Sequence, residues 1–115
     1  MTIVTETAHA LRAKIFRGLG DPARLSILVA LAQGPRTVSE LVEESDLGQS
    51  SVSAHLACLF ECGLVRRERE GRFVRYELAG GEVRALLAAA DRVLKRTAAE
   101  IAACLNYDER GRRPG

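Results

Sequence analysis

Two cysteines four residues apart, Cys58 and Cys62, are the side chains of this 115-residue chain best suited to chemistry. They lie in Gln49-Ser50-Ser51-Val52-Ser53-Ala54-His55-Leu56-Ala57-Cys58-Leu59-Phe60-Glu61-Cys62-Gly63, where Val52, Leu56 and Leu59 recur at helical spacing and Gly63 suits a C-terminal cap. On a helix, side chains at i and i+4 share a face with Cβ atoms ~5–6 Å apart, a separation at which two thiolates can hold one metal ion. The third cysteine, Cys104, follows Val83, Ala90 and Thr97 in steps of seven, near one face of a long final helix. Three thiols without an obvious hard ligand favour soft ions. A three-sulfur site suits Cd(II), Pb(II), As(III) or Hg(II) better than Zn(II), which prefers four ligands. Two other readings remain open: thiols that are merely small buried hydrophobes, and a redox sensor in which the cysteines form a disulfide under oxidant.

The same helix begins with residues of another kind. Gln49, Ser50, Ser51 and Ser53 offer amide and hydroxyl groups that can face nucleic acid, and His55 lies one turn later. Before this helix, Thr37 can cap a short helix with Glu40 as its capping-box partner and Val38, Leu41 and Val42 inward, and Ser45 to Gly48 makes the turn. A short helix, a tight turn and a second helix with polar N-terminal residues form a helix-turn-helix signature.

The remaining elements must carry this pair. Ala8, Leu11, Ile15 and Leu19 describe an amphipathic helix from about Glu6 to Leu19, closed by Gly18 and Gly20. Asp21-Pro22 places a strong N-cap residue before a proline, opening a helix from Ala23 to Gln33 that Gly34-Pro35 stops. After the reading helix, Leu64 to Glu70 and Phe73 to Leu78 alternate around Gly71 and read as a hairpin. It carries Arg66, Arg67, Arg69, Arg72 and Arg75 against three glutamates, so its tip, with Arg69 and Arg72, is the natural phosphate or minor-groove contact. Gly80-Gly81 leads into a final helix from Glu82 to about Leu105, with an apolar stripe of Val83, Leu86, Leu87, Ala90, Val93, Leu94, Ile101 and Leu105. Such a stripe exceeds what a small domain covers and predicts packing against a second copy, together with the first helix. The expected fold is mainly α with a β-hairpin: a dimeric winged helix-turn-helix over 1–107, then a disordered tail over 108–115.

Composition narrows the class. Hydrophobic residues make up 47% and charged residues 28% of the chain, an ordinary globular balance, and no apolar run approaches the ~20 residues of a membrane span. No secretion signal is visible, which predicts a cytoplasmic protein with reduced thiols. A net charge of +2 does not announce nucleic-acid binding, so the distribution of charge matters more than its sum. With neither a Gly-rich phosphate loop nor a plausible triad, and with His9 and His55 far apart, an enzyme is not expected.

Asp21-Pro22-Ala23-Arg24, Ser50-Ser51-Val52-Ser53-Ala54-His55-Leu56 and Gly71-Arg72-Phe73-Val74-Arg75-Tyr76, in this order, resemble the ArsR/SmtB family of winged-helix metalloregulators over about residues 8 to 105. The resemblance implies a homodimeric repressor that binds an inverted-repeat operator in double-stranded DNA when metal-free and leaves it when metal binds. His55 to Val65 looks like the CmtR-like subgroup of cadmium and lead sensors, which implies that Cys58, Cys62 and Cys104 form the metal site, with Cd(II) or Pb(II) as effector and no organic cofactor. It also implies a DNA-reading or structural role for His55, rather than a fourth ligand. The Cys-x-Cys arsenic and cadmium branch is excluded by Glu40-Leu41-Val42-Glu43-Glu44, and the final-helix zinc site by Gly80, Glu82, Val93 and Arg96. Gly48 departs from the Ser or Thr usual at the recognition-helix N-cap. Arsenite, antimonite or mercury sensing through the same cysteines, and thiol-redox sensing, are the alternatives.

Overall fold

The computed structural model describes residues 2–110, with side chains described for 7–98 and 100–103. Its elements are α1 (Thr2–Leu19), α2 (Pro22–Ala32), β1 (Arg36–Thr37), α3 (Val38–Glu44), α4 (Gln49–Glu61), β2 (Val65–Glu70), β3 (Phe73–Leu78) and α5 (Gly81–Arg110). Contacts divide the chain into Met1–Arg84, which holds the core, and Ala85–Gly115, which includes the greater part of α5.

Each early element begins or ends where local chemistry dictates. The Asp21 carboxylate accepts from the backbone N–H groups of Ala23 at 2.8 Å and Arg24 at 3.3 Å, and Pro22 occupies the first turn of α2. These backbone donors, the Arg24 bond foremost, hold the Asp21 carboxyl below its ordinary range. The Arg24 guanidinium reaches back to the carbonyls of Gly18 at 3.1 Å and Arg17 at 3.0 Å, satisfying the orphan acceptors at the end of α1. The Asp-Pro-Ala-Arg sequence is thus a joint that caps one helix and closes another. At α3 the capping box is complete: Thr37 Oγ1 accepts from Glu40 N–H at 3.2 Å, and the Glu40 carboxylate accepts from Thr37 N–H at 2.8 Å.

The core of this unit brings Ile27, Leu28 and Leu31 of α2 against Leu41 of α3, Val52, Leu56 and Leu59 of α4, and Leu64, Val65 and Leu78 at the base of the hairpin. The spacing of Val52, Leu56 and Leu59 aims one face of α4 into this cluster, which orients its remaining faces.

Three features depart from the sequence expectation by more than one residue. The helix α1 ends at Leu19 as expected but starts at Thr2, four residues before Glu6, and Gly18, read as part of its close, lies inside it and is buried. A two-residue strand, β1, pairs antiparallel with β3 (Arg36↔Tyr76, Thr37↔Arg75), making a sheet of order β1-β3-β2. Two residues carry no periodicity that a sequence could display; the strand exists because β3 offers a free edge. Third, α5 continues to Arg110, three residues into the expected tail, because Asn106-Tyr107-Asp108-Glu109-Arg110 contains no helix breaker before Gly111. Residues 111–115 lie outside the described residues.

Candidate DNA interface and thiol pocket

The N-terminal turn of α4 is exposed at Gln49, Ser50 and Ser53, while Ser51 and His55 are half-buried. Ser51, His55, Cys58 and Cys62 are spaced by four, three and four residues and so form one stripe along the helix. The free face instead carries Ser50, Ser53, Ala54 and Ala57, all but Ala57 within the first two turns. Sequence reasoning missed the two alanines, whose small side chains permit close approach to a groove and can contact a thymine methyl group.

In the wing, β2 and β3 pair from Val65↔Leu78 to Glu70↔Phe73. Gly71, at φ +62°, takes the first central position of the two-residue turn, and Arg72 does not share its positive φ, the pattern of a type II′ hairpin. The five arginines separate into distinct roles. Arg66 pairs with Glu77 across the strands at 3.1 Å, and Arg75 pairs with Glu70 at 3.0 Å and Glu40 at 3.6 Å. Arg67 lies over the Phe60 ring, 4.0 Å from its centroid, and ties the wing to the end of α4. Among the described residues, Arg69 and Arg72 have no carboxylate partner, which leaves them available for phosphate.

The other end of α4 closes in a Schellman motif. Leu64 N–H donates to Leu59 O and Gly63 N–H to Phe60 O, both at 3.0 Å, with Gly63 at φ +79°. Cys58 and Cys62 are adjacent free thiols here, each half-buried. Cys62 packs against α1 at its closest approach: a Cβ built on Gly18 would stand 3.1 Å from Leu64 Cδ1 and 3.6 Å from Cys62 Sγ. The Cys62 thiol faces the Lys14 carbonyl at 3.8 Å. Burial pushes the Cys62 thiol above its ordinary pKa, the neighbouring Cys58 adds to the rise, and the charges of Lys14 and Arg24 oppose it. Beside the pair opens a pocket of about 250 Å³, lined also by Lys14, Arg17 and Gly18 of α1, Arg24 of α2 and Glu61.

The structure therefore brings together two of the three cysteines. Cys104 falls within α5, but its side chain lies outside those described. Among the described residues no three His, Cys, Asp or Glu side chains converge, so His55 is not drawn onto the pair. The donor chemistry nonetheless fits a soft ion, since both sulfurs share a face and reach one pocket, where Glu61 is the one carboxylate among the lining side chains. His9 is exposed on α1 beside Arg12 at 3.5 Å, as a surface residue would be.

A helix-turn-helix of α3 and α4, flanked by an arginine-bearing hairpin, defines a winged-helix DNA-binding protein. Residues 21–67 match the family described as bacterial regulatory proteins of the arsR family. The probable mercury resistance operon repressor of Streptomyces lividans is 36% identical over 99 residues, 86% of this chain and 79% of that one. The regulator CmtR of Mycobacterium tuberculosis is 44% identical over 77 residues, 67% of this chain and 65% of CmtR. Among solved structures, that of M. tuberculosis Rv0081 gives a TM-score of 0.76 at 35% identity, covering 83% of this chain and 96% of that one. The homodimeric winged helix-turn-helix domain of Mb0332 from Mycobacterium bovis gives 0.75 at 32% identity, covering 78% and 83%. The chain belongs to the ArsR/SmtB family and is a transcriptional repressor of that family, not an enzyme. Among the described residues, no helix is long and apolar enough to cross a membrane.

Proposed function

We propose that this repressor is released from its operator by a soft metal ion, Cd(II) or Pb(II), held by Cys58, Cys62 and Cys104. The observation that carries the reading is the adjacency of the Cys58 and Cys62 thiols on a pocket at one end of α4, whose other end carries Gln49, Ser50, Ser51, Ser53 and His55, the residues we assign to DNA. An ion that draws the thiols together acts on the helix that reads the operator. Cys104, on α5, extends the same tie to the element expected to join two copies. The exposed apolar residues Leu11 and Phe16 of α1 and Val93, Leu94 and Ile101 of α5 support a homodimer, as does the homodimeric state named for Mb0332. Such a dimer, in the cytoplasm, reads an inverted repeat with half-sites about one or two DNA turns apart, and Arg69 and Arg72 contact phosphate. The domain spans 1–107.

The test is a titration of the reduced protein with cadmium, lead, arsenite and mercury, following the ultraviolet thiolate-to-metal band and operator release together. Cys58→Ser or Cys62→Ser abolishes most of the band and leaves a repressor that stays on DNA. Cys104→Ser keeps weaker two-sulfur binding and loses most of the coupling, which is about 5–150-fold in affinity for linked sites of this kind. Normal release of Cys104→Ser at saturating cadmium or lead sinks the proposed allostery. Mercury is the second reading, favoured by the name of the Streptomyces lividans relative; release by mercury and not by cadmium or lead selects it.

A further inference from the structure

The thiol pocket is more basic than a metal cation alone would call for. Its walls carry three cations, Lys14, Arg17 and Arg24, against one carboxylate, Glu61. Arg24 is committed to the Gly18 and Arg17 carbonyls and the Asp21 carboxylate, whereas Lys14 and Arg17 are exposed residues of the last turns of α1 with no carboxylate partner among the described residues. Both ions meet the same ligand set, so the wall distinguishes them only through the charges of the two complexes. Three thiols that bind a divalent ion release three protons and leave a complex, M(SR)3, of net charge −1. Three thiols that bind arsenous acid, As(OH)3, release three waters and leave As(SR)3, which is neutral. The same one-charge difference holds if the third ligand is any other monoanion. A basic wall stabilises the first product and is indifferent to the second.

From this the geometry assigns Lys14 and Arg17 as specificity-determining residues, which favour a divalent soft ion over a trivalent metalloid at the Cys58–Cys62 pair. The assignment rests on the thiol-site reading above and deepens it by naming residues outside the ligand set.

Two measurements on the reduced full-length protein test it. In the first, the wild type, Lys14→Gln and the Lys14→Gln/Arg17→Gln double variant are titrated with cadmium, in competition with a chelator, and with arsenite. Each charge lost from the wall of a partly aqueous pocket weakens cadmium binding about threefold, so the double variant loses about tenfold. Arsenite affinity stays within about twofold, because its complex carries no charge for the wall to act on. Equal losses for both ions, or no loss for cadmium, overturn the assignment. The second measurement needs no metal: the rate of cysteine alkylation by anionic iodoacetate relative to neutral iodoacetamide. The ratio falls in the double variant if the wall acts on charge, and an unchanged ratio overturns that. Failure of the thiol site itself shows elsewhere, as binding of both ions that survives Cys58→Ser and Cys62→Ser. Both substituted positions are exposed, so the variants fold.

Discussion

The two ends of α4 are built by opposite means. Its N-terminus has glycine at the cap, no side-chain cap hydrogen bond, and exposed polar residues at Gln49 and Ser50. Its C-terminus is closed by two backbone hydrogen bonds at 3.0 Å, packs Leu59 and Leu64 in the core, and brings Cys62 onto α1 at Gly18. One end is left free for a partner and the other is held by the protein. A ligand at the held end would have leverage, because that end is fixed to α1 by packing and to the wing through Arg67 on Phe60, so a displacement there is carried to both elements proposed to contact DNA.

The largest expected effect comes from breaking the held end. Leu59 is fully buried, and Leu59→Ala removes its contacts with the core at a cost of about 2–5 kcal/mol, whereas Ser53→Ala on the free face stays within about 0.5 kcal/mol. Denaturant midpoints at one fixed protein concentration check both. Similar values for the two variants would dissolve the contrast. Next comes Gly63→Ala, which forces a Cβ into the left-handed region at φ +79° although nothing stands within 4 Å of it; the cost is roughly 1–2 kcal/mol and is conformational, not steric. A loss of less than a few tenths would mean that the Schellman closure relaxes freely.

Much of this asymmetry is legible in the sequence. Asp21-Pro22, the Thr37/Glu40 box and Gly63 are local signals: each requires a residue type at a fixed offset, and each appears in the structure where the offset predicts. The apolar spacing of α4 likewise places both the reading residues and the thiol pair on one helix. What cannot be read depends on meetings between distant segments. β1 is defined by its partner β3, and Gly18 reads in sequence as a helix end, whereas in the fold its lack of a side chain is what lets α1 approach Cys62 and Leu64. Lys14, Arg17 and Arg24 lie more than thirty residues before the thiols they surround, and only the fold assembles them. The half-buried stripe shared by Ser51 and His55 can be found by extending the four-three-four spacing backward from the cysteines.

Smaller effects sharpen the contrast within the wing. Arg69→Ala and Arg72→Ala each weaken operator binding and reduce the slope of log affinity against log salt by about 1.8, the counterion release of two phosphate contacts, one from each subunit of the dimer. Arg66→Ala changes the slope less, since Arg66 is already paired with Glu77 at 3.1 Å. Equal slope changes in all three would show that the ion pairs of the wing open on DNA and that pairing is no guide to contact.

The smallest effect tests the free end itself. Gly48 has φ −80° and ψ 171°, a conformation open to any residue, its carbonyl already accepts from Val52 N–H at 3.0 Å, and a Cβ there would meet nothing within 4 Å. Gly48→Ser therefore adds a hydroxyl that can accept from the Ser50 or Ser51 N–H without moving the backbone. Because glycine is itself a tolerable cap, the gain is only a few tenths of a kcal/mol, which corresponds to a rise in Tm of about 1–2 °C for a domain of this size. The hydroxyl also stands beside the residues proposed to face DNA. It is uncharged and releases no counterion, so any gain in operator affinity leaves the salt slope unchanged. A fall in Tm would show that Gly48 is constrained by something other than its own turn, and the N-terminus of α4 would then be held as firmly as the end that carries the thiols.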